Sequence, residues 1–600
     1  RIEDSWESYT ASDGNSVQLP PKIIDMLKND KFVPEPRNNF VTAFQNLQVS
    51  QSIILPNFGQ KPKHFAEGYQ GNTLFITQQM IDIWNTLSAD QERSIKRVLS
   101  GPMGVGKSYI SYFLASKAYA EGWLMLYIAD ANELNEREEE KAGEVICRYF
   151  IAQNKDILTA AELGQLVQYT NRYSVEVAAT GEILGNLLKQ VNRKTLFIVD
   201  EHGALFENEI VPNRLQILNP LMNLPYWGEH YKGVRVIFTG TAHAKYERTH
   251  MQNGQREWWI IYVGPLQDDV FDALLQMHPI LKIPSIKEEV KKVTNCVPRE
   301  LIHLAEYVNK LSITSIDVNT FKRVVKGFED QRVDKILIIA QKYYNDIPKN
   351  EKNRYYAALT SMFVPSIPPV QFEWKFLDLG LIYRYKDNVI HYHPLCRSAQ
   401  KALLKMYMSF DLPENIRNQL RIGELTGDQF EEALFNRFVC RSNTTTLLEA
   451  TDLNNRPTSP VKIMFEDYAV IKNSGLSLGP GYDKVLGRGF NGYPRFDYML
   501  GPMFIQVSIS DFQAHNKAQS NIKNAFKRPM DRLSSISISQ IGGRNQIEMY
   551  LDEMYGSGHI ADIDLSTHRF VVTRNKQPVP GFCIVYIRGS PGTPNHSGKV

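Results

Sequence analysis

From Phe75 onward, short apolar runs alternate with stretches whose apolar residues recur at helical spacing, the pattern of a parallel sheet covered by helices. Arg97-Val98-Leu99 is the first run, and Ile110, Phe113, Leu114 and Ala118 follow three and four apart, which predicts a helix. Leu124-Met125-Leu126-Tyr127-Ile128 reads as a buried strand ending at Asp130. A long helical insertion then extends to about residue 192, with the acidic run 136–140 on a solvated face. Thr195-Leu196-Phe197-Ile198-Val199 and Val234-Arg235-Val236-Ile237-Phe238 are two further buried strands.

Upstream, Leu19-Pro20-Pro21 and Val33-Pro34-Glu35-Pro36 flank a helix-like segment at 23–27, so residues 1–75 read as an irregular lead-in wrapped on the next domain. Downstream, residues 300–415 read as mainly helical, with a β-hairpin made by 376–385 and 389–393, a winged-helix arrangement. A helix begins at Gly427, two strands turn at Gly501-Pro502, and strands at 569–573 and 582–587 complete a second sheet. The composition of 589–600 is that of a disordered tail. The expected division of this α/β multidomain chain is therefore 1–75, 76–299, 300–415, 420–588 and 589–600.

Composition narrows the classes of function. At 600 residues the chain exceeds one hydrophobic core, and about three or four domains are expected. Hydrophobic content of 43% and charged content of 22% are ordinary for a globular protein, and no apolar run is long enough to span a bilayer, so no membrane partner is expected. A net charge of +3, from 68 basic and 65 acidic residues, leaves nucleic-acid binding to be decided by local clusters. The five scattered cysteines form no C-x-x-C pair and read as reduced thiols of a cytosolic or nuclear compartment. The chain opens at Arg1 without a signal-like segment, which reads as a processed form lacking its original N-terminus.

Chemistry is concentrated first in Gly101-Pro102-Met103-Gly104-Val105-Gly106-Lys107-Ser108, which fits the phosphate-binding pattern G-x-x-x-x-G-K-[ST] and sits between a strand and a helix. Backbone amides of Gly101, Gly104, Val105, Gly106, Lys107, Ser108 and Tyr109 are expected to converge on a phosphate chain, aided by the helix dipole. Lys107 is expected at the β- and γ-phosphates of ATP or GTP, and Ser108 at Mg²⁺. The strand ending in Asp200-Glu201 has the form of a Walker B motif, in which Asp200 holds the metal through water and Glu201 polarises the attacking water. Thr239 or Thr241, at the tip of the next strand, is a candidate γ-phosphate sensor. Cys296-Val297-Pro298-Arg299 resembles the G-x-P-R lid signature of signal-transduction P-loop ATPases, which implies that Arg299 approaches the phosphates and that the chain assembles as a homo-oligomer such as a dimer.

A second chemistry lies near the C-terminus. Glu431 on a helix, Asp497 before one strand and Gln506 on the next resemble the restriction-endonuclease-like, PD-(D/E)xK, nuclease arrangement. That resemblance implies a Mg²⁺ or Mn²⁺ site made by Glu431, Asp497 and Gln506, acting on DNA. Gln506 replaces the usual Glu and Ser508 the usual Lys, and Lys517 on the following helix is the candidate replacement base. Between 515 and 545 six basic residues face one acid, a patch suited to phosphate contacts.

The order of parts resembles the Crinkler effectors, over nearly the whole chain, from Tyr9-Thr10-Ala11-Ser12-Asp13-Gly14 through Ala118-Tyr119-Ala120-Glu121-Gly122-Trp123 to Phe504-Ile505-Gln506-Val507-Ser508. The resemblance implies a secreted protein that acts in a host cell, reaches the host nucleus, meets host proteins and provokes cell death. The resulting expectation is a P-loop NTPase with a helical or winged-helix lid, followed by a nuclease domain that it gates. Two alternatives stay open: a non-catalytic DNA-binding NTPase switch, and an NTPase that signals through protein partners.

Overall fold

The lead-in is more regular than its proline content predicts. β1 (Glu7–Thr10) and β2 (Ser16–Leu19) form an antiparallel hairpin, the helix Pro21–Asn29 follows, and β3 (Ser52–Ile54) pairs antiparallel with β4 (Thr73–Phe75). Pro21 stands where a missing N–H costs nothing, at the first position of its helix. That helix turns Ile23, Ile24, Met26 and Leu27 into one core with Leu124, Leu126, Phe150, Phe197 and Phe238. The computed structural model describes residues 6–29, 33–60, 62, 73–89, 95–135, 139–165, 194–201, 234–239, 259–364, 367–386, 389–440, 445–451, 456–470, 484–488, 497–500, 503–509, 559–564, 569–574, 577–579 and 583–589.

The described residues belong to two compact units, residues 1–332 with 373–399, and residues 333–372 with 400–600. In the first, β5 (Ile95–Ser100), β6 (Leu124–Ile128), β7 (Thr195–Val199), β8 (Val234–Thr239) and β9 (Ile260–Tyr262) form a wholly parallel sheet in the order β6-β7-β8-β5-β9. Their near-continuous apolar sequences follow from burial of both faces. Because β5 is inserted between β8 and β9, strand order reverses beside it, and the C-terminal ends of β5 and β8 border the crevice where open α/β sheets take ligands.

The helix Lys107–Ala120 covers the sheet, with Ile110, Phe113, Leu114 and Ala118 buried at the spacing the sequence predicts. Helices Ala131–Asn135 and Glu139–Asn154 begin the long insertion; most of its acidic run, and its continuation from 166 to 193, lie outside the described residues. Helices Asp268–Leu275, Lys287–Thr294 and Pro298–Lys310 build a smaller core around Phe271, Val290, Leu301 and Phe321.

Residues 300–415, expected as one region, are divided between the two units. The hairpin β10 (Ile382–Lys386) and β11 (Ile390–Pro394) belongs to the first, where Arg397 just beyond it pairs with Glu289 at 2.7 Å and Glu329 at 2.9 Å. The hairpin begins later than the apolar run suggests. Trp374–Leu377 is a short helix that buries Phe376 and Leu377, since a short apolar run does not distinguish a helical turn from a strand.

The second unit contains β12 (Thr446–Thr451), β13 (Pro457–Ile463), β14 (Asp467–Val470), β15 (Val485–Arg488), β16 (Tyr498–Leu500), β17 (Met503–Ser508), β18 (His559–Asp564), β19 (Arg569–Arg574), β20 (Gln577–Val579) and β21 (Cys583–Arg588). β12 and β13 pair by themselves; the others make a mixed sheet in the order β14-β15-β16-β17-β21-β19-β18, with β20 on β19. β16 runs antiparallel to both β15 and β17, and β17 runs parallel to β21. β16 and β17 pair with Leu500 opposite Met503, while the intervening Gly501 and Pro502, like 590–600, lie outside the described residues. Aromatic rings fill the core: Phe435, on the helix Gly427–Cys440, stacks on Phe363 at 6.4 Å and on Tyr498 at 6.0 Å. Among the described residues no helix is long and apolar enough to cross a membrane.

Arg37 fixes the lead-in to the first sheet. Its guanidinium donates to Tyr119 O at 2.8 Å, Trp123 O at 3.1 Å and Gln153 O at 3.0 Å, meets Asp156 at 2.8 Å and lies 4.1 Å from the Tyr119 ring centre. Arg37→Met keeps the stem and takes the guanidinium from three carbonyls, of which Tyr119 O keeps the Gly122 amide, so a loss of roughly 2–4 kcal/mol is expected. Asp156→Asn should cost less, because Asp156 is partly exposed. Denaturant midpoints of the two variants check this order.

Candidate nucleotide site and a second acidic site

The loop 101–106 leaves β5 at the switch point and enters the helix Lys107–Ala120, which Gly106 caps. Two of its glycines are required by close neighbours. A Cβ at Gly101 would collide with Val263 O, and one at Gly104 would collide with the Arg299 side chain. Val105 is buried, and the Tyr109 amide is bonded to Gly106 O at 3.0 Å.

Lys107 is buried, with Nζ donating to Gly101 O at 2.7 Å and Pro102 O at 2.8 Å. Burial brings its ammonium down to about 8, against the opposing pull of Asp200 and Glu201, while Arg299 adds to the lowering. Asp200 follows β7 and is tied to the neighbouring segment by Asp200 N to Ile128 O at 2.9 Å and Ala131 N to Asp200 O at 3.0 Å. Its Oδ1 accepts from the Thr239 hydroxyl and from Glu201 N at 2.9 Å. Burial pushes the Asp200 carboxyl up to about 6, with the hydroxyls of Thr239 and Ser108 pulling it back. Asp200 Oδ2 is buried without a partner of hydrogen-bond geometry. Glu201 takes a left-handed backbone at φ 54, uncommon for a residue with a Cβ.

Pro298 occupies the first turn of its helix, as its position in the sequence predicts, and Arg299 N reaches Gly104 O at 3.4 Å. The expected site residues Gly101, Gly104, Val105, Gly106, Lys107, Ser108, Tyr109, Asp200, Glu201, Thr239 and Arg299 thus gather around one loop. Thr239 differs from expectation in one respect: its hydroxyl is engaged in holding Asp200. Thr241 lies outside the described residues. Two contacts to the loop carry no sequence signal. Val263 N donates to Ser100 O at 2.7 Å, and Arg384 Nη2 donates to Ser100 Oγ at 2.6 Å across 284 positions of chain.

The Ser108 hydroxyl and the buried, unpartnered Asp200 Oδ2 suit Mg²⁺, a hard cation that takes oxygen ligands and keeps several waters beside substrate phosphates.

In the second unit, Glu431, Asp497 and Gln506 also come together. Asp497 Oδ2 accepts from Gln506 Nε2 at 2.9 Å and from Val507 N at 2.6 Å. Glu431 Oε1 accepts from the Tyr498 hydroxyl at 3.2 Å. Burial, and then the charge of Glu431, push the Asp497 carboxyl well above the ordinary range. Gln506 Oε1 is buried without a hydrogen-bond partner. Two crowded carboxylates and a bare amide oxygen form a donor set that a divalent cation would satisfy. Among the described residues no three His, Cys, Asp or Glu side chains are clustered to hold a metal, in keeping with a set of two acids and one amide. Ser508 ends β17, whereas Lys517 and the basic stretch 515–545 lie outside the described residues.

No family model matches the chain, and no curated protein matches it. Among solved structures it is similar to a Walker-type ATPase of Pyrococcus abyssi, with 13% identity over 60% of this chain and 99% of that one and a TM-score of 0.34. It is also similar to the ORC2 protein of Aeropyrum pernix in its ADPNP–ADP complexes, with 12% identity over 62% and 99% and a TM-score of 0.30. The RuvB Holliday junction branch migration motor of Thermotoga maritima gives 12% identity over 44% and 78% and a TM-score of 0.24. At such identities and scores, assignment of the fold rests on the chain's own geometry. A parallel five-stranded sheet with β5 at the point of reversal, the glycine-rich loop at its C-terminal end and a helix beyond is the α/β fold of the P-loop NTPases.

Proposed function

We propose that the first unit binds and hydrolyses a nucleoside triphosphate, ATP or GTP, with Mg²⁺. The observation that carries this is the meeting of Lys107 and Ser108 with Asp200 and Glu201, from two separate segments, at the loop where β5 ends. Loop amides and the helix N-terminus bind the phosphates. Lys107 leaves the carbonyls of Gly101 and Pro102 to meet phosphate oxygens that neutralise it better. Ser108 and Asp200 would hold the cation, which when bound supplies charge neutralisation at the phosphates. Glu201 orients the attacking water and accepts its proton, Thr239 keeps Asp200 aimed, and Arg299 faces the developing negative charge from the lid side.

For the second unit we propose metal-dependent cleavage of DNA phosphodiesters, supported by the Glu431, Asp497 and Gln506 cluster. The sheet order, in which β16 and β17 form an antiparallel pair and β21 joins β17 in parallel, agrees with the restriction-endonuclease-like arrangement that the sequence resembles. Nucleotide gating of that cleavage, assembly as a dimer and action inside a host cell belong to the same proposal.

Phosphate release measured on Lys107→Ala is expected to fall to background together with nucleotide binding. Glu201→Gln should bind nucleotide and turn over roughly 10²- to 10⁴-fold more slowly. Wild-type turnover in both would refute the assignment.

Affinity should also depend on pH through Lys107. The free amine titrates near 8, and phosphate favours its charged form, so binding takes up a proton only above that value. The dissociation constant, followed by calorimetry with ATP and Mg²⁺, should stay level below about pH 8 and rise by roughly tenfold per unit above it. A flat profile up to pH 9.5 would count against this role for the lysine.

At the acidic cluster, Asp497→Asn should abolish plasmid cleavage with Mg²⁺ or Mn²⁺. The folded-state pKa of Asp497 is raised, so its ionised form destabilises the native state once the pH exceeds that of a free carboxyl. The neutral isostere should therefore raise the thermal midpoint at pH 7 in metal-free buffer. Retained cleavage would remove Asp497 from the chemistry, and a lowered midpoint would contradict the charge crowding.

A further inference from the structure

The phosphate loop contains almost nothing with which to brace itself. Between Ser100 and Val105 it offers two glycines, Pro102 and the exposed Met103, so its shape must be imposed by the segments around it. Three segments of the first unit do this. Val263 holds Ser100 by its backbone, the start of the helix Pro298–Lys310 leans on Gly104, and the hairpin segment 373–399 approaches the loop at two points. One is Gly380, which lies beside Met103 with room for no more than a methyl group in ordinary contact, an added Cβ standing 3.8 Å from the Met103 amide nitrogen. The other is Arg384, whose guanidinium donates to Ser100 Oγ at 2.6 Å.

Arg384 is a constructed contact. It is only 6% exposed and Ser100 1%, and its guanidinium lies 4.8 Å from the Tyr262 ring centre and 5.9 Å from that of Trp374. A planar cation between aromatic faces is oriented as well as solvated by them, which an ammonium would not reproduce. Ser100 is followed directly by Gly101 and Pro102, whose carbonyls receive Lys107 Nζ. The side chain that fixes Ser100 therefore fixes where those two carbonyls stand, and with them the resting place of the lysine that must move to a phosphate.

We propose that Arg384 is a positioning residue of the nucleotide site, which sets the first turn of the phosphate loop by holding Ser100 from the hairpin β10–β11. The proposal rests on the nucleotide reading of the first unit. It assigns to the hairpin a part in nucleotide binding that no motif in its own sequence announces.

Calorimetry with ATP and Mg²⁺ on the full chain tests it, using Arg384→Met, Arg384→Lys, Ser100→Ala and the double variant Arg384→Met/Ser100→Ala. Arg384→Met should weaken binding by about tenfold or more, and Ser100→Ala should weaken it in the same direction. The double variant should be no weaker than Arg384→Met alone, since both remove one contact. Arg384→Lys should recover part of the loss. At a temperature well below the unfolding midpoint of each variant, a merely stabilising arginine would leave the affinity of Arg384→Met at the wild-type value. If Arg384→Met does not fold, Ser100→Ala decides: weakened binding supports the proposal and wild-type binding overturns it. Wild-type affinity in both single variants, or losses that simply add in the double variant, also overturns it. A wild-type chain that binds no ATP overturns the nucleotide reading, and the proposal with it.

Discussion

Lys107, at the start of a helix, and Asp200, at the end of an apolar strand, are opposite charges that are both buried, and burial drives both toward neutrality, the lysine down to about 8 and the aspartate up to about 6. Neither is fully relieved by the other. Each is held by weaker dipoles, Lys107 by two carbonyls and Asp200 by a hydroxyl and an amide. Such a pair remains receptive to a ligand that brings both charges at once, an anion for the amine and a cation for the carboxylate. The parallel sheet keeps the pair apart from water and within reach of each other. That is why the order β6-β7-β8-β5-β9 matters more to the site than any single contact.

The second unit meets the same constraint with like charges. Asp497 and Glu431 are forced together by a helix and a strand pair packed through Phe435 and Tyr498, and the amide of Gln506 relieves only part of the repulsion. An apolar replacement at these positions would pack more easily. The crowding of the two acids is physically costly where no positive ion balances them.

The parts legible in the sequence are those where local pattern and final position coincide. The runs that became β6 and β7 are apolar throughout because both faces are covered, and the loop at 101–108 is marked by glycines that neighbours make necessary. Pro298 at a helix start, and Asp497 beside Gln506 across a strand pair, were likewise fixed by short-range rules. Long-range contacts were not legible. Arg384 looks like any alternating strand residue, and only the fold brings it to Ser100. The hydroxyl of Thr239 could be placed at the strand tip, but not assigned to Asp200 rather than to a phosphate. The segment 376–381 misled because Phe376 and Leu377 are equally apolar in a helical turn or a strand.

The first unit is discontinuous: its chain departs after residue 332 and returns for 373–399. During synthesis the sheet and phosphate loop emerge long before the hairpin that holds Ser100. The ribosome must deliver 67 residues beyond Arg332, as far as Ala399, before this unit has all its parts. Until then the loop is exposed without its outer support, and a fragment ending near 299, where the strand-and-helix pattern stops, would keep every residue of the glycine-rich motif and lack the segment that shapes it.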